Sequence, residues 1–267
     1  MLNAAAIKIV QIARRIPGMR LRFYPELRDA IVGKSGLEIG GPSGVFSDGG
    51  ILPVYRHVKA LDNVVFSEKT VWEGTREEGR TYMFHKNKPI GRNYITEAVD
   101  LRGIRNNAYD FLLAAHCLEH IANPIKALHE WQRVLKPGAQ AVVVLPNYRK
   151  TFDHRRRPTA VNHMVDDYRN NVGEDDLTHL PEILELHDLR RDRGAGTFGE
   201  FKARALNNTE YRCLHHHVFD KDNSRELLEK VGLRVWAVET ALPHHIALAA
   251  DCRPGLAANV FRVDGSW

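Results

Sequence analysis

Fourteen histidines in 267 residues put imidazole chemistry first, and their spacing concentrates it. The segment HCLEH sets His116, Glu119 and His120 at i, i+3 and i+4, which is one face of a helical turn. Two imidazoles and a carboxylate on one face are ligand types for a divalent cation. Further groups stand at His215–His217, in HHHVFD, and at His244–His245. In TFDHRRRPT, Asp153 and His154 are candidates for a general base, and His154 is the better one because imidazole takes a proton near pH 7. The turn LEIGGPSG over 37–44 carries different chemistry. Glu38 precedes Gly40 and Gly41, where the backbone can turn tightly and approach a ligand closely. No G-K-[ST] follows, which argues against a P-loop. Asp62, in VKALD, comes about 20 residues later, where a doubly wound sheet holds ribose hydroxyls. Asp100 ends EAVDL.

Elements of fixed order must position these residues. Gly36–Ile39, His57–Leu61, Ile95–Leu101, Tyr109–Ala115 and Ala141–Leu145 read as strands, the last two almost continuously apolar. Asn123–Val134 reads as a helix with Pro124 in its first turn, broken by Lys136–Pro137–Gly138. Ser224–Val231 is a second helix, capped by Gly232, and Leu233–Ala241 and Ile246–Ala250 are the last strands. Strands alternating with helices predict an α/β, Rossmann-like doubly wound sheet of seven strands, covered on both faces. Residues 148–216 interrupt the rhythm. They are polar, show no strand, and follow the fifth strand, so they are expected as an insertion at the carboxyl edge, where such sheets bind ligands. At the other end, residues 1–30 are expected as a helical extension, with Ala5, Ile9, Ile12 and Ile16 at helical spacing. That helix would dock on the domain, dimerise or touch a membrane.

The composition excludes several classes. Hydrophobic residues at 43% and charged residues at 27% describe a globular chain, not a disordered or fibrous one. The whole chain, 1–267, reads as a single domain. Three widely spaced cysteines fit a reducing, cytoplasmic setting and not a disulfide framework. No apolar run approaches the roughly 20 residues of a membrane span, and Lys8 breaks the apolar start of the chain, against a signal peptide. A net charge of +5, with bases and acids interleaved, is not a nucleic-acid footprint.

The order LEIGGPSG, ALD, VDL, YDFLLAAHCLEHI and NPIKALHEWQRVLKPGAQAVVVLP resembles the class I methyltransferases that use S-adenosylmethionine (SAM). The likeness covers about residues 36–147 and resumes at 217–250; Ala139 stands where that family usually has a second Gly. It implies SAM as cofactor, held by Glu38, Gly40, Gly41, Pro42 and Ser43 around the methionine moiety and by Asp62 on the ribose. Asp100 and Leu101 would lie near the adenine, and Ala115 or His116 near the sulfonium. A subset is similar in two further places. The small-RNA 2′-O-methyltransferases and ubiquinone-pathway O-methyltransferases carry E-x-x-E-H after the fourth strand and a His before a late helix. That resemblance implies a divalent metal on His116, Glu119, His120 and His217. His116 replaces a Glu, which moves the preference from Mg²⁺ toward Mn²⁺ or Co²⁺.

The stretch 148–220, with TFDH, DDY, GEDDLTHL and LHDL, is similar to bacterial methyltransferases of glycan and sugar modification. Its His- and Asp-rich character suits a hydroxylated acceptor, Arg155–Arg157 suit an anionic group, and Tyr148, Phe152, Tyr168 and Trp72 suit stacking on sugar faces. The expectation is O-methylation of a sugar or oligosaccharide hydroxyl, on a precursor of a methylated polysaccharide. A phenol or quinone-precursor methyltransferase would need a more apolar, aromatic pocket. An RNA 2′-O-methyltransferase would need a basic, aromatic surface, and a SAM-binding scaffold would turn nothing over.

Overall fold

The computed structural model describes residues 21–70, 74–192 and 194–252. Residues 1–20 of the expected N-terminal extension and Trp72 lie outside them. The described chain begins with helix α1 (Tyr24–Ile31) and strand β1 (Ser35–Ile39), followed by β2 (Ala60–Val65). A two-stranded ribbon of β3 (Lys69–Thr70) and β4 (Gly74–Thr75) leads to β5 (Gly79–Tyr82) and β6 (Gly91–Ile95). Strand β7 (Tyr109–Ala115), helix α2 (Pro124–Val134) and β8 (Leu135–Pro146) come next. Four short helices follow without a strand: α3 (Val161–Arg169), α4 (Leu180–Leu186), α5 (Phe198–Leu206) and α6 (Asn208–Tyr211). Helix α7 (Lys221–Lys230), β9 (Leu233–Ala241) and β10 (His245–Cys252) close the described chain.

The sheet order is β5-β6-β2-β1-β7-β8-β10-β9. Its five central strands, β6 to β8, run parallel, and β5, β10 and β9 are antiparallel. The sheet therefore has eight strands and not seven. The addition is β5, a short polar edge strand with no apolar alternation to announce it; only Tyr82 at its end is buried. Successive strand residues feed two cores. Leu112, Ala114, Val143 and Leu145 face α2, α3 and α7, while Phe111, Leu113, Val142 and Val144 face α1 and the 45–58 segment. Burial on both faces is why β7 and β8 read as unbroken apolar runs.

Two strand boundaries differ from expectation. Strand β2 starts at Ala60 and runs through Asp62 to Val65, because Leu61 and Val64 each bury in a core. Strand β6 ends at Ile95, where Leu101 was the expected end. Both shifts move the carboxyl edge of the sheet, and with it the position of any ligand. Helix α2 is found where expected, and α7 starts three residues before the expected Ser224. The Asn123 side chain accepts from Lys126 N–H to cap α2, and a capping box of Asp220 and Asn223 starts α7. The 148–216 stretch builds a small core of its own from Leu180, Ile183, Ala195, Phe201, Ala205 and Leu214. No helix among the described residues is long and apolar enough to cross a membrane.

Candidate active site

The carboxyl ends of β1, β2, β6 and β7 open into one cleft of about 370 Å³. Its floor is the glycine turn, Gly40, Pro42, Ser43 and Gly44, with Val65–Phe66 after β2, Thr96–Val99 after β6 and Ala115–Cys117 after β7. Glu38 lies beneath the turn, fully buried. Tyr55 donates to its carboxylate at 2.8 Å, Tyr82 at 2.5 Å and Ser43 N–H at 3.1 Å. Burial, reinforced by the Glu38 charge, pushes both tyrosine pKa values far up. Gly41 sits against the same carboxylate: a Cβ there would lie 2.3 Å from Glu38 Cδ. Asn63 pins Gly41 from the other side, accepting from its N–H and donating to its carbonyl. Glu38 and Gly41 thus shape the turn from behind, while Gly40, Pro42 and Ser43 line the cleft.

Three expected cofactor contacts stand elsewhere. Asp62 is internal to β2, where it accepts from Arg92 N–H at 2.7 Å and Tyr109 hydroxyl at 2.8 Å. Asp100 is tied to Arg102 at 2.6 Å. Leu101 is core, with its N–H given to Glu130. None of the three lines the cleft. The carboxylates that do are Glu97 and Glu174, and Arg212 bridges them, 2.5 Å from Glu97 and 2.9 Å from Glu174, with its guanidinium over the Phe66 ring. Sequence reasoning missed this group. The signal was the acid in ITEAVDL, next after Ile95, once β6 is ended there.

Eight of the fourteen histidines fall into three clusters, so the expected four-ligand metal set is divided. His116 follows β7 with φ of 53°, outside any helix, and only Leu118–His120 form a 3₁₀ turn. His116 lines the cleft, 2.8 Å from His245 Nδ1 and 3.4 Å from Glu119. Glu119 and His120 meet His215, not His217. His217 lies instead with His163, Asp167 and His179, its ring turned to the Ala122 carbonyl. Three consecutive histidines diverge toward different partners, which their order alone does not reveal.

Glu119, His120 and His215 form a buried polar knot. His120 Nδ1 donates to Leu214 O, and His215 Nδ1 lies 2.5 Å from Asp153. Burial pushes Glu119 upward, but His116, His120 and His215 outweigh it and keep the carboxylate ionised. Burial and the neighbouring His215 bring His120 down to about 4. Asp153 is held at about 2, since His215 and Arg156 overcome its burial. Asp153 is therefore a buried anchor, spent on Arg156 and His215. His154 is bound to Asp188 at 3.1 Å. Neither lines the cleft. Arg156 is buried between Asp153 and Glu182, so it is not presented to an anionic acceptor. Phe152 stacks on His187, Tyr148 is buried, and Tyr168 packs on His129.

A family model described as a methyltransferase domain matches residues 11–238. No curated protein was found to match the sequence. Among solved structures, a candidate methyltransferase of Bacillus halodurans aligns over 86% of this chain and 97% of its own, at 11% identity and a TM-score of 0.51. The trans-methyltransferase CalH, in complex with SAH, aligns over 94% of this chain and 60% of its own, at 12% identity and a TM-score of 0.50. At such identities the likeness is one of fold.

Proposed function

Because the chain belongs to the class I family of SAM-dependent methyltransferases, we propose that it is an O-methyltransferase whose acceptor is a sugar or oligosaccharide hydroxyl. The observation that carries this reading is His116. It lines the cleft beside the glycine turn, with Glu119 behind one ring nitrogen and His245 at the other. SAM would lie with its methionine end over Gly40–Gly44 and its adenosine toward Phe66 and Ala98–Val99. With SAM bound, the acceptor oxygen would attack the methyl carbon in line, the C–O bond forming as the C–S bond breaks and S-adenosylhomocysteine leaves. His116 Nε2, exchanging its contact with His245 for the acceptor, would take the hydroxyl proton. Glu119 orients the imidazole and stabilises its charge. The 148–216 segment contributes Glu174 and Arg212 to the rim, charged groups that would suit the hydroxyls of a sugar.

A divalent cation fits the knot behind His116. Glu119 Oε2 is buried without a hydrogen-bond partner, and the Nδ1 atoms of His120 and His215 are held by oxygen acceptors, as in metal-ligating histidines. Glu119, His120 and His215 would hold it, and it would lower the pKa of a nearby acceptor hydroxyl.

The test is SAM turnover across mono- and oligosaccharides, catechols and short RNA, each with and without EDTA. Turnover with saccharides supports the reading. Turnover confined to catechols or RNA, or none with any acceptor despite bound SAM, overturns it. Full saccharide turnover in EDTA removes the metal and leaves His116 as the base.

A further inference from the structure

Helix α3 carries His163 and Asp167 four residues apart, on one helical face. His179, just ahead of α4, and His217, in the strand-like approach to α7, converge on that face. One ligand-type atom from each of the four lies within 4.8 Å of the others. Three of the separations are 3.0 Å for His163 Nε2 to His179 Nε2, 3.5 Å for His163 Nε2 to Asp167 Oδ2, and 3.6 Å for Asp167 Oδ2 to His217 Nε2. Bonds of about 2.0–2.2 Å in a tetrahedron set ligand atoms about 3.3 Å apart. The three edges bracket that length.

A second observation points the same way. Asp167 is 8% exposed, yet its Oδ2 has no hydrogen-bond partner. A buried carboxylate oxygen left without a donor is costly, and a cation offsets that cost. His163 is the exposed member, 44% by its side chain, and provides the way in. None of the four lines the cleft.

We propose that His163, Asp167, His179 and His217 form a tetrahedral Zn²⁺ site with a structural role. Three imidazoles and one carboxylate suit zinc, and four protein ligands leave no open position for substrate. The cation would fasten α3 and the turn before α4 to the segment leading into α7. It would fix the arm that carries Glu174 and Arg212 over the cleft. Without the cation, His217 Nε2 donates to the Ala122 carbonyl at 3.2 Å; ligation through Nε2 would break that bond and shift the proton to Nδ1. The site is independent of the cleft knot and of the proposed acceptor.

Co²⁺ replacing zinc reports tetrahedral geometry by its intense visible absorption. The full chain, stripped with a chelator, is titrated with Co²⁺ and then Zn²⁺, in wild type and in Glu119→Gln, which removes the cleft knot from the count. One tetrahedral Co²⁺ per chain is expected in Glu119→Gln, displaced by Zn²⁺, with a higher Tm when metal is bound; wild type binds the same ion and, if the cleft knot fills, one more. His163→Gln and His179→Gln should each lose it. Since removing an outer-shell partner already costs about 10–100-fold in affinity, loss of a direct ligand should exceed about 100-fold. His163 is exposed, so its replacement leaves folding intact, as circular dichroism would verify. No tetrahedral Co²⁺ in Glu119→Gln, or its persistence when His163 or His179 is also replaced in that background, overturns the site.

Discussion

Replacing Glu38 with Gln should unsettle the cofactor turn without removing any group that lines the cleft. The carboxylate accepts from two tyrosine hydroxyls and from Ser43 N–H, with no exposure to solvent. Hydrogen bonds to a buried charge are worth about 1.5–3 kcal/mol each, against about 1 kcal/mol for neutral ones. Glutamine keeps the shape but removes the charge and turns one acceptor into a donor facing Tyr55 and Tyr82. Weakening two charge-assisted bonds to neutral ones costs about 1–4 kcal/mol. In a domain of this size about 1 kcal/mol moves Tm by about 2–4 °C, so a drop of about 2–16 °C is expected. Urea unfolding of the SAM-free protein measures the loss, and calorimetry with SAM measures the accompanying fall in affinity. If Glu38→Gln keeps wild-type stability and loses only SAM binding, Glu38 touches the cofactor directly and its role beneath the turn is wrong.

Arg212→Met leaves Glu97 and Glu174 facing each other without their shared cation; SAM affinity should fall about tenfold, or about 1.4 kcal/mol, with faster hydrogen exchange around residue 174. Unchanged affinity and exchange would show that the bridge is ornamental. Asp153 has a folded pKa of about 2, below its unfolded value of about 3.9. Its contribution of roughly 2–3 kcal/mol is therefore complete above about pH 4 and lost as pH falls through about 2. Asp153→Asn should flatten the stability curve in that window; a curve parallel to wild type would remove the His215–Asp153–Arg156 anchor from the account.

The sequence was most legible where burial is periodic. The apolar runs of β7 and β8, Pro124 in the first turn of α2 and the glycine turn all announce themselves through local chemistry. Polar residues inside the sheet do not. Asp62 reads as a strand terminator, yet β2 continues past it because Tyr109 and Arg92 satisfy its carboxylate while Leu61 and Val64 bury on opposite faces. That shift moved the expected ribose and adenine contacts away from where the strands end. The histidine triplet shows a second limit. His215 turns to Asp153, His216 to Asn208 and His217 to Asp167 and Ala122. Which of the three joins Glu119 depends on how the distant 148–216 helices pack, and no local pattern encodes it. The Arg run misled for a related reason: Arg156 is buried as an internal strut.

Transfer of a ¹³C-labelled methyl group from SAM, followed by NMR on the acceptor, tests the central claim most directly. With an oligosaccharide substrate, the label should appear as a methyl ether carbon bonded to a sugar oxygen. His116→Ala should slow its appearance by about 10²–10⁴-fold while SAM affinity stays within a few-fold of wild type. A label found on nitrogen or carbon, or a His116→Ala rate equal to wild type, would contradict hydroxyl methylation with His116 as the base.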